Sequence, residues 1–370
     1  TLLYARIRAR AEAGKRSILL VPEQFTSSTE ARIYRELGDT LSGMVESYSF
    51  TSLAEHILAV EGGAAVQTLT DAGRAVLVRR ALEELQDNVH YYYRHRRSAA
   101  FCQMAAETID ELKSAGLSGQ QLQELARDCG SESAKLGELA LIFQGYESLL
   151  AGTGMDPADR LELAADRLEA ALARDELPDF LREREVFIDE FDTFNAPKKR
   201  LMGAMLAALP AVTVALCEDG APMQPGDLEL FSGAKQVAAQ LRQLARKNGA
   251  QVAAPELLRR DLRHKDAPGL AALTELLETG SCTPPESAPE LRLFAAASRE
   301  EEARCAAAAI RHLMRQGVRC GKIAVVCRDI SLYRAALRYE FRMAEIPLYC
   351  DEPTTPEFSA PATAVRALLA

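Results

Sequence analysis

The feature that most constrains this 370-residue chain is a pair of short, unbroken apolar runs set far apart, Ser17 to Val21 (SILLV) and Glu185 to Asp189 (EVFID). A strand that is apolar at successive positions, rather than at alternate ones, is buried on both faces. That is the mark of a parallel sheet covered by helices on both sides. Parallel neighbours need long crossovers, and the flanking sequence supplies them. Leu2 to Ile7 carries helical spacing, residues 27–37 are helical again, Gly43 to Phe50 (GMVESYSF) alternates like a strand, and Ser52 to Val60 returns to helix. Val212 to Cys217 (VTVALC) is a further β-branched run. The expected fold class is α/β, with an open, twisted parallel sheet.

The spacing of these elements predicts the domain plan. Between Thr70 and Leu172 the chain is rich in Ala, Leu, Glu, Gln and Arg at helical spacing, so 70–172 is expected to be an all-helical insertion in a first domain made of 1–69 and 173–248. Residues 227–248 are expected to form one more helix of that domain. The stretch 249–289, with its TGSCTPPESAP segment, is expected to be a linker. Beyond it, Glu290 to Ala296, a helix over 299–316, a strand Ile323 to Cys327, a helix over 331–343 and Ile346 to Tyr349 are expected to begin a second α/β domain, 290–370. The chain opens at Thr1 without a methionine and stops in a helical stretch at Ala370, so further sequence is expected on both sides.

Charge and cysteine usage exclude several functions. With 44 Lys and Arg against 53 Asp and Glu, a net charge of -9 argues against coating nucleic acid with the whole surface, although it leaves room for a local channel. The eight cysteines contain no C-x-x-C pair, which supports neither a zinc ribbon nor an iron-sulfur site and suits reduced thiols in a cytoplasmic protein. No apolar run approaches the roughly 20 residues a bilayer requires, so no membrane partner is expected. The His, Cys and Gly patterns of a triad hydrolase, a zinc enzyme or a Rossmann dehydrogenase are also missing.

The strongest chemical signal is Val186-Phe187-Ile188-Asp189-Glu190, an apolar strand ending in two carboxylates. In nucleotide hydrolases a carboxylate so placed holds Mg²⁺ and its neighbour orients the attacking water. The same pattern also fits a strand ending in a solvated acidic turn. A phosphate loop ending in Gly-Lys-Ser/Thr is not found. Thr1 and its helix stand where the helix after such a loop would stand, so either the loop lies upstream or the fold never had one.

Four segments occur in the order and spacing of superfamily 1 helicase motifs: Leu20 to Thr26 (LVPEQFT), Ser47 to Ala54 (SYSFTSLA), Ile188 to Phe194 (IDEFDTF) and Ile323 to Arg328 (IAVVCR). With Asp227 to Phe231 (DLELF), they make the chain resemble the front part of the B subunit of the AddAB-type ATP-dependent helicase-nuclease, RexB relatives included. The resemblance implies a RecA-like (P-loop NTPase type) first domain and the start of a second. It implies a part in processing double-strand DNA ends for recombinational repair, with single-stranded and duplex-end DNA and the motor (A) subunit as partners. It places Gln24, Thr26, Phe50, Thr51, Ser52, Phe191 and Phe194 along the single-strand route. It makes Asp189 and Glu190 the catalytic pair with Asp189 on Mg²⁺, and sets Thr1 and Arg328 against ATP. The family's iron-sulfur cluster is expected only in a C-terminal nuclease part that this chain does not contain.

Two departures bear on these expectations. Family members can carry Arg and Trp after the Ser-Phe-Ser stretch, where this chain has Ser52 and Glu55, so a phosphate contact and a stacking platform would be lost. The family often has Asp-Gly where this chain keeps Asp189-Glu190. That pair is the one an active ATPase would carry, while an inactive helicase fold that docks the motor subunit stands as the alternative function. Outside the motifs, Tyr91 to Arg97 (YYYRHRR) interleaves rings with positive charge, which suits either nucleic acid or a loop whose tyrosines pack back on the insertion.

Overall fold

The computed structural model describes residues 2–63, 67–86, 88–221, 230–258, 263–350 and 360–369. It forms two compact units, residues 1–259 and 260–370. The first begins with α1 (Leu2–Glu12), β1 (Ser17–Leu20), α2 (Thr26–Ser42), β2 (Val45–Tyr48) and α3 (Phe50–Glu61). Helices α4 (Asp71–Glu84), α5 (Ala99–Ser114), α6 (Gly119–Ala126), α7 (Ser133–Leu150) and α8 (Pro157–Ala173) follow. The unit closes with β3 (Glu185–Ile188), α9 (Ala196–Ala208), β4 (Ala211–Val214) and α10 (Ser232–Lys247).

The four strands form one parallel sheet in the order β2-β1-β3-β4, and its registers are in step. Leu20 stands opposite both Tyr48 and Ile188, and Ile188 opposite Val214. Alternation sorts the side chains of this sheet. Leu19, Val21, Val45 and Phe187 pack with Leu3, Tyr4 and Ile7 of α1 and Ile33 and Leu37 of α2 on one face. Ile18, Leu20, Val186 and Ile188 pack on the other with Leu53 and Ile57 of α3, Leu168 of α8 and Leu201 and Met205 of α9. Ile18, Leu19 and Leu20 are fully buried, each contributing roughly 1.5–3 kcal/mol through burial. Both faces are needed, which is why Ile18 to Val21 has no polar position.

The helical stretch divides differently from its expected bounds. Helices α4 to α7 build a core of their own, with Leu82, Ile109, Phe143 and Tyr146 at its centre. Leu161, Ala164, Ala165 and Leu168 of α8 belong instead to the sheet core, so α8 is a covering helix of the sheet. The two parts are joined by buried charge. Asp156, almost fully buried before α8, accepts from the Tyr146 hydroxyl at 2.6 Å and from the Lys113 ammonium at 2.8 Å. Lys113 also reaches Asp159 at 2.9 Å. Burial alone would lower the Lys113 pKa, but its bonds to Asp156 and Asp159 outweigh this and raise it. Gly116, at φ 83° after α5, lies so close to α9 that a Cβ there would stand 2.8 Å from that of Ala196.

In the second unit, α11 (Pro268–Thr279) lies within the stretch expected to be a linker, and α12 (Arg299–Arg315), α13 (Ile330–Met343) and α14 (Ala360–Leu369) follow. Ala303, Ala307 and Ile310 of α12 pack on Leu337 and Phe341 of α13. The strand expected at Ile323 to Cys327 is not formed: among the described residues, 323–327, like 291–296 and 346–349, has no ladder partner. Leu293 is 99% and Val326 91% exposed. Apolar β-branched sequence specifies a strand only where a neighbour accepts its hydrogen bonds. Of the helix expected over 227–248, residues 227–229 lie outside the described residues. Among the described residues no helix is long and apolar enough to cross a membrane.

Removing Asp156 strands the buried Tyr146 phenol and leaves the Lys113 ammonium with Asp159 alone, so Asp156→Ala is expected to cost about 1–3 kcal/mol in urea unfolding. A loss under 1 kcal/mol would show that the junction between the helical core and the sheet does not depend on this carboxylate.

Candidate nucleic-acid interface

The in-step registers bring three loops level at the carboxyl edge of the sheet. The Val21 amide donates to Tyr48 at 3.0 Å and the Asp189 amide to Leu20 at 3.0 Å, extending the ladder one residue past each strand. Pro22 then ends the first, lacking a donor to continue it, and a single helical turn, Glu23–Phe25, leads into α2. The second loop closes at once into α3, because Ser49 and Ser52 cap it reciprocally at 3.1 and 2.8 Å. The third runs from Asp189 to Asn195, whose side chain accepts from the Lys198 amide at 3.1 Å to cap α9. The chain leaves β1 toward the face carrying α2 and leaves β3 toward the face carrying α9. Connections that part in this way open a crevice between the two strand ends, where open α/β sheets take their ligands.

The expected site residues divide sharply at this crevice. Gln24 is exposed, and its amide makes no hydrogen bond among the described residues. Thr26 and Thr51 are half-buried, the Thr26 hydroxyl donating to the Glu23 carbonyl at 2.7 Å. The Ser52 hydroxyl is occupied by the cap of α3. The three phenylalanines lie underneath: Phe50 is 2%, Phe194 5% and Phe191 9% exposed. Phe50 meets Phe191 and Phe194 edge-on at 5.3 and 6.0 Å between ring centroids. The stacking faces expected of Phe50, Phe191 and Phe194 are thus turned on one another. The motif is apolar because it floors the crevice.

That floor carries cations that the motifs do not include. The Lys198 ammonium lies 5.4 Å from the Phe191 ring centroid and 5.9 Å from that of Phe50, and Lys199 beside it is half-buried. The available signal was Asn195-Ala196-Pro197-Lys198-Lys199, a capping residue and an early helical proline followed by two lysines. On the other wall the Arg32 guanidinium sits 4.6 Å from the Tyr4 ring centroid and 3.6 Å from the Glu190 carboxylate. Burial, with the carboxylates of Asp189 and Glu190 adding to it, pushes the Tyr4 phenol above its ordinary value against the pull of Arg32.

The nucleotide expectations find less support. Thr1 lies outside the described residues, and Arg328 is an exposed residue of the second unit. The Asp189 carboxylate accepts from the Glu190 amide at 3.0 Å, while Glu190 itself is paired with Arg32. Among the described residues no three carboxylate, histidine or cysteine groups converge on a metal position. Glu190 has φ 65°, a conformation natural to glycine. This gives a backbone reason for the Asp-Gly expected in relatives at this point.

Fold and site together define an open parallel α/β sheet domain with a polar, cation-bearing crevice at its switch point. The family model described as "ADDB, N-terminal" matches residues 1–274, and the chain belongs to that family. It is 33% identical over 92% of its length to the B subunit of the ATP-dependent helicase/deoxyribonuclease of Desulforudis audaxviator. It is 32% identical over 93% of its length to the B subunits of the same name from Moorella thermoacetica and Symbiobacterium thermophilum. The chain spans 30% of the length of each of these three relatives.

Two substitutions test this arrangement. Phe50→Ala is expected to cost about 3–5 kcal/mol, as removal of a buried phenylalanine does, whereas Gln24→Ala should stay within about 0.5 kcal/mol; equal effects in chemical denaturation would contradict the division into floor and rim. Glu190→Gly relieves a left-handed residue and gives up an exposed ion pair worth about 1 kcal/mol or less. Its unfolding midpoint should hold or rise slightly, and a loss above 1 kcal/mol would mean that the Arg32 contact outweighs the backbone strain.

Proposed function

We propose that this chain is the helicase-like front portion of the B subunit of a two-subunit ATP-dependent helicase-deoxyribonuclease that processes DNA ends, RecA-like in fold, and that the crevice at its sheet edge guides one DNA strand. The observation that carries this reading is the common level of the β1, β2 and β3 ends, whose loops bear Gln24, Thr26 and Thr51, together with the Lys198 ammonium 5.4 Å from the Phe191 ring centroid on the third loop's side. The Gln24 amide and the Thr51 hydroxyl can donate to phosphate oxygens, the Thr26 hydroxyl only by turning from the Glu23 carbonyl, and lysines neutralise the phosphates. Base stacking is not part of this reading, because the rings are buried. A motor subunit supplying ATP hydrolysis is the partner proposed on the strength of the relatives' names.

A second reading, a helicase fold retained to dock that motor, is favoured by one observation: Glu190 is held by Arg32 and is not free to orient a water molecule.

Fluorescence anisotropy with short single-stranded DNA across a salt series separates the two. Lys198→Ala/Lys199→Ala should weaken binding and flatten the salt dependence by about 1.4 in slope, two phosphate contacts at about 0.7 each on a single strand. Gln24→Ala/Thr26→Ala should weaken binding several-fold without changing the slope. Salt-insensitive binding, or none, would leave the docking scaffold as the function.

A further inference from the structure

The loop between α4 and α5, residues 88–98, is held with more order than a connection requires. The Glu138 carboxylate of α7 accepts three successive backbone amides, His90 at 2.9 Å, Tyr91 at 2.8 Å and Tyr92 at 3.1 Å. Burial opposes the charge on Glu138, but these three bonds outweigh it and hold the carboxyl below its ordinary range, so the clamp is ionised at neutral pH. Tyr92 and Tyr93 pack back on the helical core. Arg96 lies over the Tyr93 ring at 3.9 Å and donates to the Tyr93 carbonyl at 3.1 Å. Half of the heptapeptide is therefore structural, its tyrosines packed back on the insertion.

The other half is turned outward. Tyr91 is 45% exposed, with the Lys135 ammonium 5.5 Å from its ring centroid, and Arg94 and Arg97 are exposed without a carboxylate partner among the described residues. On α4 of the same helical core, two exposed arginines are matched: Arg79 by Glu83 at 3.1 Å and Arg80 by Glu84 at 3.0 Å. In a chain with more carboxylates than cations, two unmatched arginines beside a half-exposed ring on a clamped loop form a preorganised anion surface. An unpaired base can stack on a tyrosine while its phosphates meet the flanking guanidinium groups.

We propose that Tyr91, Arg94 and Arg97 form a second nucleic-acid contact on the helical core, in which the arginines hold the phosphates of a single strand and Tyr91 stacks on one base. It takes from the proposed function only that the ligand is DNA, and its residues are separate from those of the crevice.

The test uses the full chain, single-stranded DNA carrying 5-iododeoxyuridine, and three variants: Arg94→Glu/Arg97→Glu, Tyr91→Ala, and Lys198→Ala/Lys199→Ala. The arginine reversal is expected to weaken binding at least tenfold and flatten its salt dependence. Irradiation should crosslink the DNA to Tyr91, and Tyr91→Ala should abolish that adduct while circular dichroism stays unchanged. Binding that falls with Lys198→Ala/Lys199→Ala but not with the loop variants, and no adduct at Tyr91, would overturn this contact and leave the crevice standing. The reverse pattern would overturn the crevice alone, and a wild type that does not bind would overturn both. If poly-glutamate displaces the DNA as well as an equal charge of unlabelled DNA does, the loop is a surface for an acidic protein and the proposal fails.

Discussion

The first unit depends on the burial of β1 on all four sides. Its edges bond to β2 and β3, and its faces bear on α1 and α2 in one direction and α3, α8 and α9 in the other. Because side chains alternate along a strand, a slip of one residue would exchange Ile18 and Leu20 with Leu19 and put both layers out of register. The common register that results brings Val21, Ser49 and Asp189 to one level. The crevice is thus a consequence of core packing, and its polar residues sit on loops that the core has already positioned.

What can be read from the sequence follows from where the energy lies. The runs at 17–21 and 185–189 identify β1 and β3 because burial on both faces leaves no other composition possible. Strand β4 is harder to bound: it ends at Val214, although the β-branched and apolar run continues to Cys217. The capping pair Ser49 and Ser52 is local chemistry and is visible in sequence. The mutual packing of Phe50, Phe191 and Phe194 is not, since it joins positions more than a hundred residues apart, and a phenylalanine that stacks on a base has the same letter as one that floors a cleft. Helix α8 falls within the expected insertion for the same reason. Its period shows a helix, but only tertiary packing shows which core it covers.

The second unit marks the limit of strand reading more sharply. Its segment at 323–327 is apolar like β1, yet Ala324, Val325 and Val326 are exposed and unladdered where β1 is buried. Composition sets the apolar face available, and the partner decides whether that face becomes a strand. Helices α12 and α13 needed no such partner, because their hydrogen bonds close within each helix and Ser298 caps the first of them by accepting from Glu301 at 3.3 Å.

Electrostatics shape the proposed function in a particular way. An acidic chain can hold a polyanion only where cations are concentrated locally, and at the crevice that concentration is small. Lys198 lies over the Phe191 ring, and Arg32 is already engaged by Glu190. Such a balance suits a strand that must pass through, because each phosphate is met briefly and released at little cost, whereas a dense cationic clamp would hold the strand in place. Separating the cations into two sets, one at the sheet edge and one on the clamped loop, adds contacts for the strand without concentrating them at either place. On this account the acidity of the chain sets the strength of its grip and is compatible with a role on DNA.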